Sequence, residues 1–186
     1  FYDDWAQRYD IDISSVDYQA PAISTRLLQQ YLAATDSRLL DAGCGTGLVG
    51  VELGNLGYHD IDGFDLSESM AQRALATGAY RQVKGGIDMM QATQSYAAEA
   101  YDAVLSVGVF TLGHVPPEAL LVLLALTRPG GLLVISTRTH YYEQTDFQQR
   151  VDELLADGRI ELLKLLEDAP YNKDGAAHYW VFSKSG

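Results

Sequence analysis

The chain is 186 residues long, enough for one domain with a sizeable core, and its 47% hydrophobic against 20% charged content excludes a disordered chain. Acidic residues outnumber basic ones 25 to 13, and a net charge of −12 repels phosphate backbones and anionic lipid, which disfavours nucleic-acid and membrane partners. The single cysteine, Cys44, excludes an internal disulfide, and no apolar run approaches the roughly 20 residues of a membrane span, so the composition reads as an acidic, cytoplasmic globular domain.

In chain order, Arg38-Leu39-Leu40-Asp41 is a short apolar run that ends in a Gly-rich turn, and a helical pattern follows over Leu48 to Leu56. Ile61-Asp62-Gly63-Phe64-Asp65 is a second strand, followed by a helix over Ser67 to Thr77 with Ser67 placed as N-cap. A third strand is expected over Tyr80 to Gly85 and a fourth over Tyr101 to Val107. A helix over Pro117 to Thr127 comes next, with prolines at its start and Pro129-Gly130 beyond its end, and Leu132 to Ser136 forms a fifth strand. Strands separated by such helices imply right-handed βαβ units and a parallel sheet covered on both faces. Ile160 to Glu167 and Ala177 to Ser183, joined by a polar loop over Tyr171 to Gly175, read as an antiparallel hairpin at the C-terminal edge. The run Leu120 to Leu126 reads as a buried helix, with an apolar dimer face as the alternative.

Ligands of open α/β sheets bind at the carboxyl ends of the strands, where strand order reverses. The first strand ends in Asp41-Ala42-Gly43-Cys44-Gly45-Thr46-Gly47, and the helix start just beyond offers free N–H groups and a positive dipole end. The second strand ends at Asp65, about 20 residues on, where a carboxylate suits the two hydroxyls of a ribose. Together these point to an adenosine-containing cofactor. Gly45-Thr46-Gly47-Leu48-Val49-Gly50 also matches the G-x-G-x-x-G of dinucleotide enzymes, so an NAD-dependent oxidoreductase stays open. Asp41 weighs against it, because a carboxylate there repels a pyrophosphate and suits a ligand with a cationic amino-acid part.

The Asp41–Gly47 run resembles motif I of class I S-adenosylmethionine-dependent methyltransferases, and Gly63-Phe64-Asp65-Leu66-Ser67-Glu68-Ser69-Met70 resembles their second motif. Tyr101 to Phe110 is similar to their fourth strand, and Arg128-Pro129-Gly130-Gly131-Leu132-Leu133-Val134-Ile135 to their turn into the fifth. Trp5-Ala6-Gln7-Arg8-Tyr9-Asp10, with Tyr18-Gln19-Ala20-Pro21 downstream, resembles the Williams–Beuren syndrome region methyltransferase-like family. The resemblance implies a single α/β, Rossmann-like domain over residues 1–186. Residues 1–35 would form an N-terminal helical lid region and 36–186 a seven-stranded core of order 3-2-1-4-5-7-6, strand 7 antiparallel, with helices on both faces.

It also implies residue roles. Asp41 and the backbone of Gly43 and Gly45 would lie by the methionine part of the cofactor, with Asp41 near its amino group. Asp65 would hold the ribose hydroxyls, while Leu66 and Met70 flank the adenine. The Gly86-Ile87-Asp88 stretch stands where relatives place a polar contact to the adenine amino group, here interrupted by Ile87. Ser106 and Val107 would end the fourth strand beneath the sulfonium, and Trp5 and Tyr9 would belong to the lid.

Methyl transfer needs a positioned acceptor and an excluded solvent, with a general base only where the acceptor carries a proton of high pKa. Candidates for that base are His114 and, after the fifth strand, His140 with Tyr141. No Cys/His cluster has metal-ligand spacing, and the Gly-x-Ser-x-Gly elbow, the P-loop and the Asn/Asp-Pro-Pro-Tyr strand end of amino-methylating enzymes are missing. The expectation is a methyltransferase of a small-molecule acceptor, monomeric or homodimeric. A non-catalytic S-adenosylmethionine-binding or partner-binding module is a further alternative.

Overall fold

The computed structural model describes residues 17–186, so Trp5 and Tyr9 lie outside the described residues. The elements are α1 (Ala20–Tyr31), β1 (Leu39–Ala42), α2 (Leu48–Asn55), β2 (Ile61–Phe64), α3 (Glu68–Ala76) and β3 (Gln82–Lys84). After a 3-10 turn (Met89–Gln94) come β4 (Tyr101–Phe110), α4 (Ala119–Leu126), β5 (Thr127–Arg138), α5 (Thr139–Gln144), α6 (Phe147–Ala156), β6 (Ile160–Asn172) and β7 (Gly175–Lys184). The seven strands form one sheet of order β3-β2-β1-β4-β5-β7-β6, the expected order. The pairs from β3 to β5 are parallel, and β7 runs antiparallel to both β5 and β6.

Strand alternation sorts the core into two layers. Leu40, Ala42, Val104, Leu133, Ile135, Trp180 and Phe182 face a cluster built on α4 and α6. Leu39, Ala103, Leu105, Leu132, Val134, Tyr179 and Val181 face the opposite cluster, built on α1, α2 and α3. All four residues of β1 and of β2 are buried, as strands covered on both faces must be. Each strand carries one acid into that interior, and a tyrosine hydroxyl donates to each: Tyr80 to Asp41 Oδ2 at 2.6 Å and Tyr101 to Asp62 Oδ2 at 2.7 Å. Asp62 also accepts two bonds from the Arg81 guanidinium, at 3.0 and 2.7 Å, which ties the start of β3 to β2. Neither acid is isolated in the low-dielectric core.

Several boundaries differ from the sequence expectation. The third strand is only Gln82–Lys84, because Tyr80 leaves the strand path and turns its ring into the core. The hairpin strands are longer, β6 to Asn172 and β7 from Gly175, so only two residues join them where a loop over Tyr171 to Gly175 was expected. Register shifts along β6 absorb the extra length. β4 reaches Phe110 and β5 starts at Thr127, where residues beside the Arg128-Pro129-Gly130-Gly131 turn already pair with β4. Helix α4 begins at Ala119, after the prolines rather than at them. The Leu120–Leu126 run is the buried helix of the two readings: Leu120, Leu123, Leu124 and Leu126 are in the core, and Leu121 is 40% exposed. No helix among the described residues is long and apolar enough to cross a membrane.

Since Leu123 is fully buried against the sheet, Leu123→Ala should cost about 2–5 kcal/mol of stability. Denaturant unfolding should show a lower midpoint with an unchanged slope, which a surface role for that face would not produce.

Candidate functional site

β1 and β4 are the neighbours at which strand order reverses, and the chain leaving β1 turns sharply there. The Gly43 and Cys44 amides both donate to the Phe64 carbonyl at 2.9 Å, which folds the loop back over the end of β2. Gly43 has φ +78°, and a Cβ on it would fall 2.5 Å from Val109 Cγ2, so only glycine fits between the turn and β4. One carboxylate then joins the loop to the next helix: Asp65 Oδ2 accepts from the Gly45 amide at 2.8 Å and Asp65 Oδ1 from the Ser67 amide at 2.9 Å. Ser67 caps α3, its hydroxyl accepting from the Met70 amide at 3.3 Å, as the sequence predicts. The Ile87 amide donates to the Asp65 carbonyl at 3.1 Å and brings the segment after β3 alongside.

These segments enclose a cavity of about 240 Å³ at the carboxyl ends of the strands. Gly43, Gly45, Asp65, Leu66, Met70, Ile87, Asp88, Val107 and His114 line it, all of them residues singled out in the sequence. Leu66 is a bulky apolar side chain left 60% exposed there, while Met70 is buried. Asp88 is exposed and accepts from the Met90 amide at 2.8 Å, capping the 3-10 turn.

Four sequence candidates lie elsewhere. Ser106 is buried between strands and donates to the Ala42 carbonyl at 3.0 Å. Tyr141 is a correction, because α5 turns it into the core, edge-on to Phe110 and Phe147, where its hydroxyl donates to the Val115 carbonyl at 2.9 Å. His140, its neighbour on the same helix, is turned outward and lies 3.7 Å from Glu143. Neither side chain lines the cavity.

Asp41 is the fourth. It is 1% exposed and is not part of the cavity wall, although Gly43 and Cys44 just after it are. Its Oδ2 accepts from Tyr80, and its Oδ1 is buried with no hydrogen-bond partner. Burial pushes this carboxyl up to about 7; the Tyr80 hydrogen bond opposes the shift and the nearby Asp65 charge adds to it. An orphaned, desolvated carboxylate oxygen beside a glycine loop fits a ligand that brings a cationic donor. Burial, with Asp41 and Asp65 nearby, also raises the Cys44 thiol, which favours its protonated form and the reading of Cys44 as a small loop residue.

Tyr18 and Val109, which also line the cavity, and Tyr80, which holds Asp41, fall in runs read from the sequence but carry no site role there. Nothing in spacing or periodicity marks them, since each arrives at the site from a different segment. Tyr18 packs edge-on against Tyr171 with ring centroids 5.1 Å apart, and the Gln19 amide donates to the Tyr171 carbonyl, pinning the start of α1 to β6.

A family model described as a methyltransferase domain matches residues 15–185. The chain belongs to the methyltransferase domain family. Its class takes S-adenosylmethionine as methyl donor, which answers the cofactor question against NAD and agrees with the orphaned Asp41 oxygen. Human methyltransferase-like protein 27 is 37% identical over 142 residues, in keeping with the Williams–Beuren resemblance; the match covers 75% of this chain and 57% of the human protein. The 18S rRNA (guanine(1575)-N(7))-methyltransferase of Saccharomyces cerevisiae is 28% identical over 198 residues, covering 98% of this chain and 68% of the yeast protein. The chain thus spans just over half the length of the first of these relatives and about two thirds of the second. The crystal structure of Burkholderia thailandensis 1,6-didemethyltoxoflavin-N1-methyltransferase, with bound 1,6-didemethyltoxoflavin and S-adenosylhomocysteine, shares the fold of this methyltransferase domain. Its TM-score is 0.70 at 21% identity, covering 96% of this chain and 84% of that one.

The raised Asp41 carboxyl makes a stability prediction. The folded protein keeps the proton that the unfolded chain releases between 3.8 and about 7, so this group's contribution is lost as pH rises through that window. Asp41→Asn, which keeps an acceptor for Tyr80, should raise the Tm of the ligand-free protein at about pH 8, with the gain fading to nothing at about pH 4. A Tm gain equal at both pH values would remove the charge explanation.

Proposed function

We propose that this domain transfers a methyl group from S-adenosylmethionine to a small-molecule acceptor. The observation that carries the reading is the cavity wall: among the described residues it contains no lysine or arginine, and its acids are Asp65 and Asp88. Together with a net charge of −12, such a wall suits a neutral or cationic acceptor better than a phosphate backbone.

S-adenosylmethionine, when bound, supplies a methyl group made electrophilic by its sulfonium. Asp41 would take the ammonium of the amino-acid part, and Asp65 would accept from the ribose hydroxyls with lone pairs beyond those given to Gly45 and Ser67. Leu66 and Met70 would cover the adenine, which accounts for an apolar side chain left exposed at the wall. Val107, ending its run beside Gly108, would lie near the reacting end. With the donor so held, these residues would orient its methyl carbon toward the acceptor's lone pair, the carbon–sulfur electron pair being left on sulfur. His114 supplies an imidazole to the wall and would take the acceptor's proton where there is one to lose. Holding the acceptor in line and excluding water would supply most of the acceleration.

A donor with a labelled methyl group, offered with a small-molecule extract and with total RNA, tests the acceptor class. Label is expected in the small-molecule fraction; label in RNA alone, the outcome favoured by the likeness to the yeast rRNA enzyme, would overturn the acceptor assignment. For the donor, calorimetry should show S-adenosylhomocysteine binding and NAD not binding, with Asp65→Ala weakening the former at least tenfold, about 1.4 kcal/mol. His114→Ala should leave that affinity unchanged and lower kcat by about a hundredfold or more; an unchanged kcat would mean the proton leaves by another route.

A further inference from the structure

We infer that Tyr80 is a positioning residue of the donor site: its hydroxyl, bridged between the Gly50 amide and Asp41 Oδ2, holds the buried carboxylate so that its unpartnered Oδ1 is the oxygen that takes the donor's ammonium. The inference rests on the donor site proposed above and goes beyond it by assigning a residue outside both glycine motifs.

Three independent features of the structure converge on this ring. The Tyr80 hydroxyl accepts from the Gly50 amide at 3.0 Å and donates to Asp41 Oδ2 at 2.6 Å, so its proton is committed to the acid. Gly50 lies in the first turn of α2, where an amide has no partner inside the helix, so this contact satisfies an orphan donor as well. Space for the ring exists because position 50 lacks a side chain: a Cβ there would fall 2.2 Å from the Tyr80 ring. The last glycine of Gly45-Thr46-Gly47-Leu48-Val49-Gly50 therefore admits a tyrosine, whatever else it does in dinucleotide enzymes.

The second oxygen completes the argument. Asp41 Oδ1 is buried and has no partner, in a residue 1% exposed. A structural Asp–Tyr pair would leave such an oxygen as pure cost, whereas a ligand ammonium would satisfy it. The other titratable groups that bear on Asp41 are the Asp65 carboxylate after β2 and the Cys44 thiol in the loop, and neither donates to it. Tyr80 is thus the hydrogen bond that favours the charged form in which the acid attracts an ammonium.

The test compares two probes by calorimetry: S-adenosylhomocysteine, and 5′-methylthioadenosine, which lacks the amino-acid part. Tyr80→Phe keeps the ring in its glycine slot. It should weaken S-adenosylhomocysteine about tenfold near neutral pH and change 5′-methylthioadenosine less than about twofold. The pH below which S-adenosylhomocysteine affinity falls should move upward. In an Asp41→Asn background the same change should have no further effect on S-adenosylhomocysteine. Fluorotyrosine installed at position 80, a stronger donor with ring and hydroxyl intact, should move the pH profile the opposite way and serves if Tyr80→Phe does not fold. Equal weakening of both probes, or additive effects with Asp41→Asn, would make Tyr80 merely structural and overturn the inference while the donor site stands. Wild-type protein that binds neither probe would overturn the donor site, and this inference with it.

Discussion

A carboxylate placed where water does not reach it is unfavourable unless something in the molecule answers its charge. Asp41 is in that position, next to last in the interior strand β1 and paired on either side with Gly63 of β2 and Leu105 of β4. The Tyr80 hydroxyl answers one oxygen and leaves the other without a hydrogen-bond partner. Much of the site follows from this arrangement. The ring that carries the hydroxyl needs a glycine in α2, its departure from the strand path shortens β3, and the carboxylate it holds lies under the loop that walls the cavity. The fold holds a desolvated carboxylate with one unpartnered oxygen, a cost that the proposed cationic ligand would relieve, as in a trade of stability against function.

Asp65 does complementary work closer to the surface. By accepting from both the Gly45 and the Ser67 amides, it locks the glycine loop to the start of α3, so the two motifs behave as one rigid unit. The Ile87 amide on the Asp65 carbonyl adds the segment after β3. Three strand ends are thereby fixed by one residue, and a pocket preorganised in this way loses little entropy when a ligand fills it.

The rest of the cavity wall is built differently. Tyr18, Val109, His114 and Val115 reach it from the start of α1, the end of β4 and the segment after it. The Gln19 amide bonded to the Tyr171 carbonyl ties the C-terminal hairpin to the segment that carries Tyr18, so the antiparallel edge of the sheet helps shape that wall. Acceptor choice in this domain would then depend on segments distant in sequence from the cofactor motifs, consistent with one fold serving many acceptors.

The alternation of strands and helices, the antiparallel hairpin at the C-terminal edge and the Ser67 cap were legible from the chain, because each depends on local patterning, whereas the strand order and most of the residues now seen lining the cavity came from the resemblance of the motifs to class I methyltransferases. Tertiary structure decided what depends on contacts between distant segments. It turned Tyr141 into the core and His140 outward, since a helix starting directly after β5 presents neighbouring residues to opposite sides. It stretched the hairpin beyond its hydrophobic runs, because β6 and β7 pair with each other out to Pro170 with Ala176 and Asn172 with Gly175, residues whose side chains carry no strand signal. It also brought Tyr80 to Asp41 across 39 residues of chain. No sequence pattern encodes such a pairing, because it exists only once a glycine in a different helix has made room for the ring.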